Sequence, residues 1–305
     1  MITQNVVENI MFEAMRLAAT QMPPDVRSAL ESAVDEESEE IAKAHLVSCL
    51  KNAELSESGK GLVCGDTGFP LYFVKIGTNV NIEGGVPAIY RAAQAATRRA
   101  TAEAYLRPTM VDPISRANPG DNIGPGMPKV EIIFTDTPCG LDIIAAPKGG
   151  GSEIFGTFYR MLFPSDGLAG IKKFVIECIK DSCYAGKICP PAIVGVGIGG
   201  TADLCMKLAK EAALLRPVGT VNSDPRMAEL ERELHDAARQ LGIGPMGSRG
   251  INCVMGLHIA GAVTHTAALP VAFNAQCLIG RRWRSIIDES GEVIFSGDVS
   301  GWKEF

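Results

Sequence analysis

Five residues, Cys64-Gly65-Asp66-Thr67-Gly68, place a thiol, a carboxylate and a hydroxyl beside two glycines. Glycine allows the backbone to turn tightly and to approach a ligand closely. The apolar run 69–76 that follows at once predicts a buried strand. The five residues therefore form a predicted turn at the start of a strand, where a rigid scaffold can present chemical groups. Taken alone, the segment fits a polar turn with a buried cysteine equally well.

Two other segments carry groups that suit an anion. Arg107 opens a long stretch, 107–128, rich in proline, glycine and asparagine, and its guanidinium matches a carboxylate through two parallel hydrogen bonds. The glycines 149–151 follow a predicted strand, and their backbone amides can approach an anion closely. The structural alternatives are a surface salt bridge for Arg107 and a flexible hairpin end for the glycines.

Two histidines lie in the strand-rich final third of the chain. His258 stands within an apolar strand pattern, which favours a core histidine. His265 lies between threonines in a predicted connection between strands. Such a position suits an acid–base residue better, because a histidine there can exchange protons near neutral pH.

Nine cysteines at irregular spacing argue against a disulfide framework in a chain of this size. Cys64, Cys189 and Cys277 each stand at the edge of a strand-and-glycine segment. Three thiolates so far apart do not suit a zinc finger. They suit an iron–sulfur cluster that lacks a fourth protein ligand and leaves one iron open as a Lewis acid. Spacing alone does not select these three from the nine.

Composition excludes several classes of partner. The chain has 305 residues, 46% of them hydrophobic, and a net charge of −6 without a basic stripe, which argues against nucleic acid. No apolar run approaches the roughly 20 residues that span a bilayer, and the N-terminus lacks a signal-peptide pattern. We therefore expect a cytoplasmic protein with no nucleic-acid or membrane partner.

The pattern of apolar residues predicts an α+β fold. Residues 1–60 read as helices, and residues 61–305 alternate strands with helices. We predict one domain, with an N-terminal helical collar around mixed β-sheets. The run Gly195–Gly200 also matches a dinucleotide-binding glycine pattern. The acidic residue that should follow about 20 residues later is missing, so tight packing between a strand and a helix is the better interpretation.

Several separate motifs resemble one enzyme family over nearly the whole chain. The 64–68 segment resembles the family's C-Q-D-T-G, and 148–152 resembles K-G-G-G-S. The segment 189–198 resembles C-P-P followed by V-G-V-G-I, and Cys277 with the arginines at 281–282 resembles C-W-A-x-R-R. The chain is thus similar to the alpha subunit of the class I, iron–sulfur fumarate hydratase and L(+)-tartrate dehydratase family.

The resemblance implies a hydro-lyase that adds water to, or removes it from, a small hydroxy dicarboxylate. It implies a [4Fe-4S] cluster with one iron lacking a protein ligand, held in the 61–305 part by Cys64, Cys189 and Cys277. It further implies catalytic roles for Asp66 and His265. The implied substrate contacts are Gly65, Asp66, Arg107, Gly149, Gly150 and Ser152.

Because the chain ends soon after its third cysteine motif, the resemblance also implies a separate beta subunit that completes the active site. The assembly would be an alpha–beta heterodimer or heterotetramer. Gly65, Ile154, Phe155 and Leu278 depart from the family pattern and leave the identity of the dicarboxylate open. Two alternatives stay open: a nicotinamide-dependent oxidoreductase that uses Gly195–Gly200, and a non-catalytic iron–sulfur protein.

Overall fold

Three helices fill most of the first sixty residues, as the sequence predicts. They are α1 (Gln4–Thr20), α2 (Pro24–Glu36) and α3 (Glu40–Glu57) in the computed structural model, which describes residues 1–136, 140–288 and 291–303. The Thr3 hydroxyl caps α1 by accepting a hydrogen bond from the Val6 amide. The helical N-terminal part and the α+β class are therefore confirmed.

The chain divides into two compact units. The first contains Met1–Pro23, Ala53–Gly150 and Arg281–Val299, and the second contains Pro24–Asn52, Gly151–Gly280 and the C-terminal end from Ser300. Helix α1 thus belongs to the first unit and α2 to the second. That the whole of 1–305 forms one domain stays a prediction.

The first unit is built on a five-stranded mixed sheet in the order β2-β1-β3-β8-β9. Strand β1 runs parallel to β2 and antiparallel to β3. The apolar face of α1 and the alanine-rich face of α4 (Val86–Ala102) bury the core of this unit. The strands are β1 (Phe69–Gly77), β2 (Lys129–Thr135), β3 (Leu141–Lys148), β8 (Trp283–Ile287) and β9 (Val293–Ser296).

The second unit is built on a four-stranded sheet in the order β4-β7-β5-β6. The strands are β4 (Thr157–Leu162), β5 (Ala192–Gly199), β6 (Val254–Ala262) and β7 (Leu269–Gln276). Strand β5 runs parallel to β6 and antiparallel to β7. The helices of this part of the chain are α5 (Gly150–Phe155), α6 (Gly167–Cys183), α7 (Ala202–Leu215) and α8 (Pro225–Arg239).

The glycines of β5 let a helix lie directly on the sheet. A Cβ atom on Gly195 would lie 2.0 Å from the Ala209 carbonyl oxygen of α7, and one on Gly197 would lie 2.0 Å from that of Cys205. Real Cβ atoms cannot come so close, so α7 can pack here only against glycine. This geometry agrees with the packing interpretation of the glycine run.

Among the described residues, no helix combines the length and the apolar character needed to cross a membrane.

Candidate active site

In the first unit, strand pairing brings the Cys64 loop (residues 64–68) beside the glycine segment 148–150. Phe69 at the start of β1 pairs with Lys148 at the end of β3, so the residues before β1 and after β3 meet at one sheet edge. The carboxylate oxygens of Asp66 lie 3.5 and 3.6 Å from the position that a Cβ on Gly150 would occupy. Two segments that the sequence predicts as substrate contacts are thus neighbours.

Arg107 joins the same group of residues. Its backbone amide donates to the Thr67 hydroxyl at 2.7 Å, and its Nη1 donates to the Gly65 carbonyl at 3.2 Å. The side chains of Arg107 and Asp66 are exposed. An exposed guanidinium and an exposed carboxylate on two hydrogen-bonded loops can bind a carboxylate and handle a proton, respectively.

Two residues have a positioning role in this group that the sequence did not predict. Thr67 is fully buried and fixes the backbone of Arg107. Asn122, 1% exposed, donates to the Arg107 carbonyl at 2.9 Å and accepts from the Thr109 amide at 2.8 Å. The stretch 107–128 has no apolar periodicity, so nothing in it distinguishes a structural asparagine from a solvated one.

Replacing Gly68 with alanine should disturb this group. Gly68 has φ +66°, and a Cβ there would lie 1.8 Å from the Lys148 carbonyl oxygen, so the two loops must separate. We expect a fall in the free energy of unfolding of about 2 kcal/mol or more, measured as a lower thermal midpoint. Gly120→Ala is the matched control, because Gly120 has φ +85° and nothing within 4 Å of the added methyl. Equal effects of the two changes would contradict the close-approach argument.

In the second unit, Cys189 and Cys277 lie on adjacent backbone segments. Cys189 precedes β5 and Cys277 follows β7, and the two strands are antiparallel, with Ile193 paired to Gln276. The Leu278 amide donates to the Cys189 carbonyl at 3.1 Å. Cys189 is exposed and has φ +55°, which is rare outside glycine, and Cys277 is half-buried. Both cysteines are therefore accessible at one sheet edge.

Other cysteines of this unit are of a different kind. Burial raises the pKa of the Cys178 thiol to about 12 and that of Cys205 to about 11. Such thiols stay protonated and behave as small hydrophobic groups. The buried cysteines of this unit are Cys178, Cys183, Cys205 and Cys253.

Ser152 lies close to the segment that leads to Cys189. It is 2% exposed and sits in α5, a short helix at the segment for which a flexible hairpin end was the structural alternative. A Cβ on Gly151 would lie 3.3 Å from the Lys187 carbonyl oxygen, two residues before Cys189. The Ala275 amide, two residues before Cys277, donates to the Gly156 carbonyl just after α5 at 2.9 Å. The second unit thus brings Ser152 and the two cysteines to one region.

His265 is not brought to this region. It precedes β7, whereas Cys277 follows it, and the eight-residue strand between them spans roughly 26 Å. His265 is exposed, and its Nδ1 accepts a hydrogen bond from the Ala267 amide at 3.1 Å. Its role in acid–base chemistry stays a prediction that this geometry does not favour.

The convergence of three cysteines also stays a prediction. Cys64 is half-buried and belongs to the first unit, whereas Cys189 and Cys277 belong to the second. Within the described ranges 1–136, 140–288 and 291–303, no three His, Cys, Asp or Glu side chains are grouped as metal ligands. The donor set itself fits an iron–sulfur cluster, because the two cysteines of the second unit are accessible and lie on adjacent backbone segments.

Comparison with known proteins identifies the class. Residues 8–285 match a family described as fumarate hydratase (fumerase), and the α+β chain with its paired loops is therefore a hydro-lyase. A protein of Methanocaldococcus jannaschii is 42% identical to this chain, over 90% of this chain and 95% of its own length. Its name is a provisional one, L(+)-tartrate dehydratase subunit alpha. The chain belongs to the fumarate hydratase family.

Relatives from enteric bacteria agree with this assignment. The L(+)-tartrate dehydratase alpha subunit of Escherichia coli K12 is 34% identical over 280 residues, which cover 91% of this chain and 89% of the relative. The protein of the same name from Shigella boydii shows the same identity and coverage. The match therefore extends over nearly the full length of both chains.

Proposed function

We propose that this chain is the alpha subunit of an iron–sulfur-dependent hydro-lyase. The enzyme reversibly hydrates or dehydrates a small hydroxy dicarboxylate of the fumarate–malate or tartrate type. One observation carries the proposal: in a chain of the fumarate hydratase family, the accessible thiols of Cys189 and Cys277 stand on hydrogen-bonded neighbouring segments.

The proposed cofactor is a [4Fe-4S] cluster held by Cys64, Cys189 and Cys277. With only three protein ligands, the cluster supplies a Lewis acid for the hydroxyl group that leaves or enters. Each of the three thiols is exposed or half-buried, in contrast to the fully buried cysteines of the second unit. The thiolate is the form that binds a metal, and burial in apolar surroundings opposes its formation.

The protein's own groups bind the substrate and handle the proton. The Arg107 guanidinium binds one carboxylate, and the amides of Gly149 and Gly150 approach the same anion. Asp66, whose carboxylate lies beside Gly150, orients the hydroxyl group or moves a proton at the neighbouring carbon. Ser152 offers a further hydrogen bond. The proposal does not depend on His265.

Gly65 favours a tartrate-type substrate over fumarate. A Cβ built on Gly65 would meet no atom within 4 Å, so the missing side chain leaves open space beside Asp66. A dicarboxylate with a second hydroxyl group needs such space. The names of the relatives from M. jannaschii and E. coli point to the same substrate class.

The function is tested on protein prepared without oxygen and reconstituted with iron and sulfide. Iron and sulfide content of the chain alone tests the cofactor, and L(+)-tartrate dehydration and fumarate hydration by the chain together with its proposed beta partner test the activity. A shift of the reduced cluster's electron paramagnetic resonance signal on adding either dicarboxylate supports a catalytic cluster. A signal that does not change on adding dicarboxylate would favour a non-catalytic iron–sulfur protein. Binding of a nicotinamide cofactor would favour the oxidoreductase alternative.

A separate beta subunit is proposed to complete the active site, because the relatives are named alpha subunits. We expect this chain alone to hold the cluster yet to show little or no turnover. Co-purification with its beta partner should restore activity, and sedimentation should distinguish a heterodimer from a heterotetramer. Full activity of the isolated chain would contradict the role of the partner. A cytoplasmic location completes the proposal.

A further inference from the structure

Arg281 is a buried cation without a partner among the described residues. Its side chain is 2% exposed. Both terminal nitrogens, Nη1 and Nη2, are buried and make no hydrogen bond within 1–136, 140–288 and 291–303. A guanidinium is charged at every physiological pH, so the residue cannot become neutral to suit its surroundings.

Burying a positive charge is unfavourable unless an anion lies beside it. Removing a charge from water costs far more than burying a neutral polar group, and proteins compensate with a paired counter-ion. Arg284, three residues further on, shows the usual solution. Its Nε and Nη2 donate to the two carboxylate oxygens of Asp142 at 2.8 and 2.7 Å. The burial of Arg281 therefore indicates that an anion from outside the described residues binds beside its guanidinium.

The chain position of Arg281 suggests which anion this is. The Gly280 amide donates to the Cys277 carbonyl at 3.0 Å, which closes a tight turn. Arg281 is the next residue along the chain. The same turn is tied to the other cysteine segment, because the Leu278 amide donates to the Cys189 carbonyl at 3.1 Å. Arg281 thus directly follows the turn that carries a proposed cluster ligand.

We propose that Arg281 is the counter-ion of the iron–sulfur cluster and donates hydrogen bonds to its sulfur atoms. This inference rests on the proposed function, since it needs a cluster bound by Cys277. Three thiolates give such a cluster a net negative charge, and hydrogen bonds to its sulfur atoms raise its reduction potential. Arg281 is then a positioning residue that retains and tunes the cluster.

A substrate carboxylate is the less favoured partner for Arg281. A substrate must enter and leave, and an exposed guanidinium such as that of Arg107 suits this task. A resident anion suits a side chain that is almost entirely buried. The two possibilities differ in whether cluster retention or only substrate binding depends on Arg281.

The test compares the Arg281→Met variant with the wild-type protein. Both are full-length chains, and each is measured with and without a reconstituted cluster. Methionine fills a similar volume without charge. We expect the thermal midpoint of the cluster-free variant to equal or exceed that of wild type, because an unpaired buried charge is gone. With cluster, iron release to a ferrous chelator should be about 10- to 100-fold faster, and the reduction potential should be more negative.

Two further variants make the result specific. Arg281→Lys keeps the charge and should release iron at an intermediate rate. Arg284→Met leaves Asp142 buried and unpaired, so it should lower the cluster-free thermal midpoint and leave iron release unchanged. If Arg281→Met lowers that midpoint as Arg284→Met does, or if it releases iron at the wild-type rate, the inference is overturned. A wild-type chain that binds no cluster would overturn the proposed function as well.

Discussion

We expect a Cys277→Ser variant to have at least about a thousandfold less hydro-lyase activity than wild type, equivalent to roughly 4 kcal/mol of barrier. Serine preserves size but replaces a thiolate with a hydroxyl, which is a poor ligand for iron. The half-buried position of Cys277 after β7 makes a packing defect small. Iron and sulfide analysis of the anaerobically reconstituted protein should show a matching loss of cluster.

Cys49→Ser is the control for this change. Cys49 is also half-buried, but it lies in helix α3 and has no predicted ligand role. We expect wild-type iron content and activity from this variant. If Cys277→Ser kept its cluster, or if Cys49→Ser lost its own, the three-cysteine assignment would be wrong.

Arg107→Met is expected to lower kcat/KM for the dicarboxylate at least about a hundredfold, since charge-assisted hydrogen bonds to a carboxylate contribute ~3 kcal/mol. The guanidinium is exposed and is held over the Cys64 loop by its bond to the Gly65 carbonyl. Cluster content should stay at the wild-type level, because Arg107 is not a ligand. Steady-state kinetics on reconstituted alpha–beta enzyme measure the change.

Arg98→Met separates this effect from a general loss of positive charge. Arg98 lies in α4 and pairs with Asp121 at 3.1 Å on the surface, where such pairs contribute little to stability. We expect kcat/KM within about twofold of wild type, as for most surface changes. A similar loss of kcat/KM in both variants would show that Arg107 acts only through the overall electrostatic field of the protein.

Periodicity predicted most elements of the fold because their apolar residues lie at helical or strand spacing. Helices α1 to α3 and strand β5 followed by α7 are examples. Helix α5 and strand β4 were missed for local reasons. Glycines open α5, which normally weakens a helix, and β4 exposes Tyr159 and Met161, so its pattern lacks a clear buried face.

The order of the strands could not be predicted from the sequence, because it depends on pairing between distant parts of the chain. Strand β1 lies between β2 and β3, although β2 and β3 are successive strands of that sheet in the chain. This arrangement brings the Cys64 loop to Lys148 and Gly149, so the proximity of two motifs 80 residues apart could be expected only by resemblance.

The proposed site residues belong to recognisable motifs, whereas a residue whose role is to support them carries no such signal. Asn122 holds the backbone of Arg107 through its side-chain amide, yet a single asparagine in a polar stretch carries no signal. An entire strand of the second unit separates His265 from Cys277, and the acid–base role of His265 stays a prediction.

The division of the chain into two units limits how the gene can be cut. The backbone passes from one unit to the other after residues 23, 52, 150, 280 and 299. No single cut therefore yields a fragment that contains one whole unit and nothing else. A fragment from residue 151 onward keeps the four strands of the second sheet, yet it loses Pro24–Asn52 of the same unit and carries β8 and β9 of the first sheet. An isolated half therefore contains no complete unit, so the chain must be produced as an uninterrupted piece.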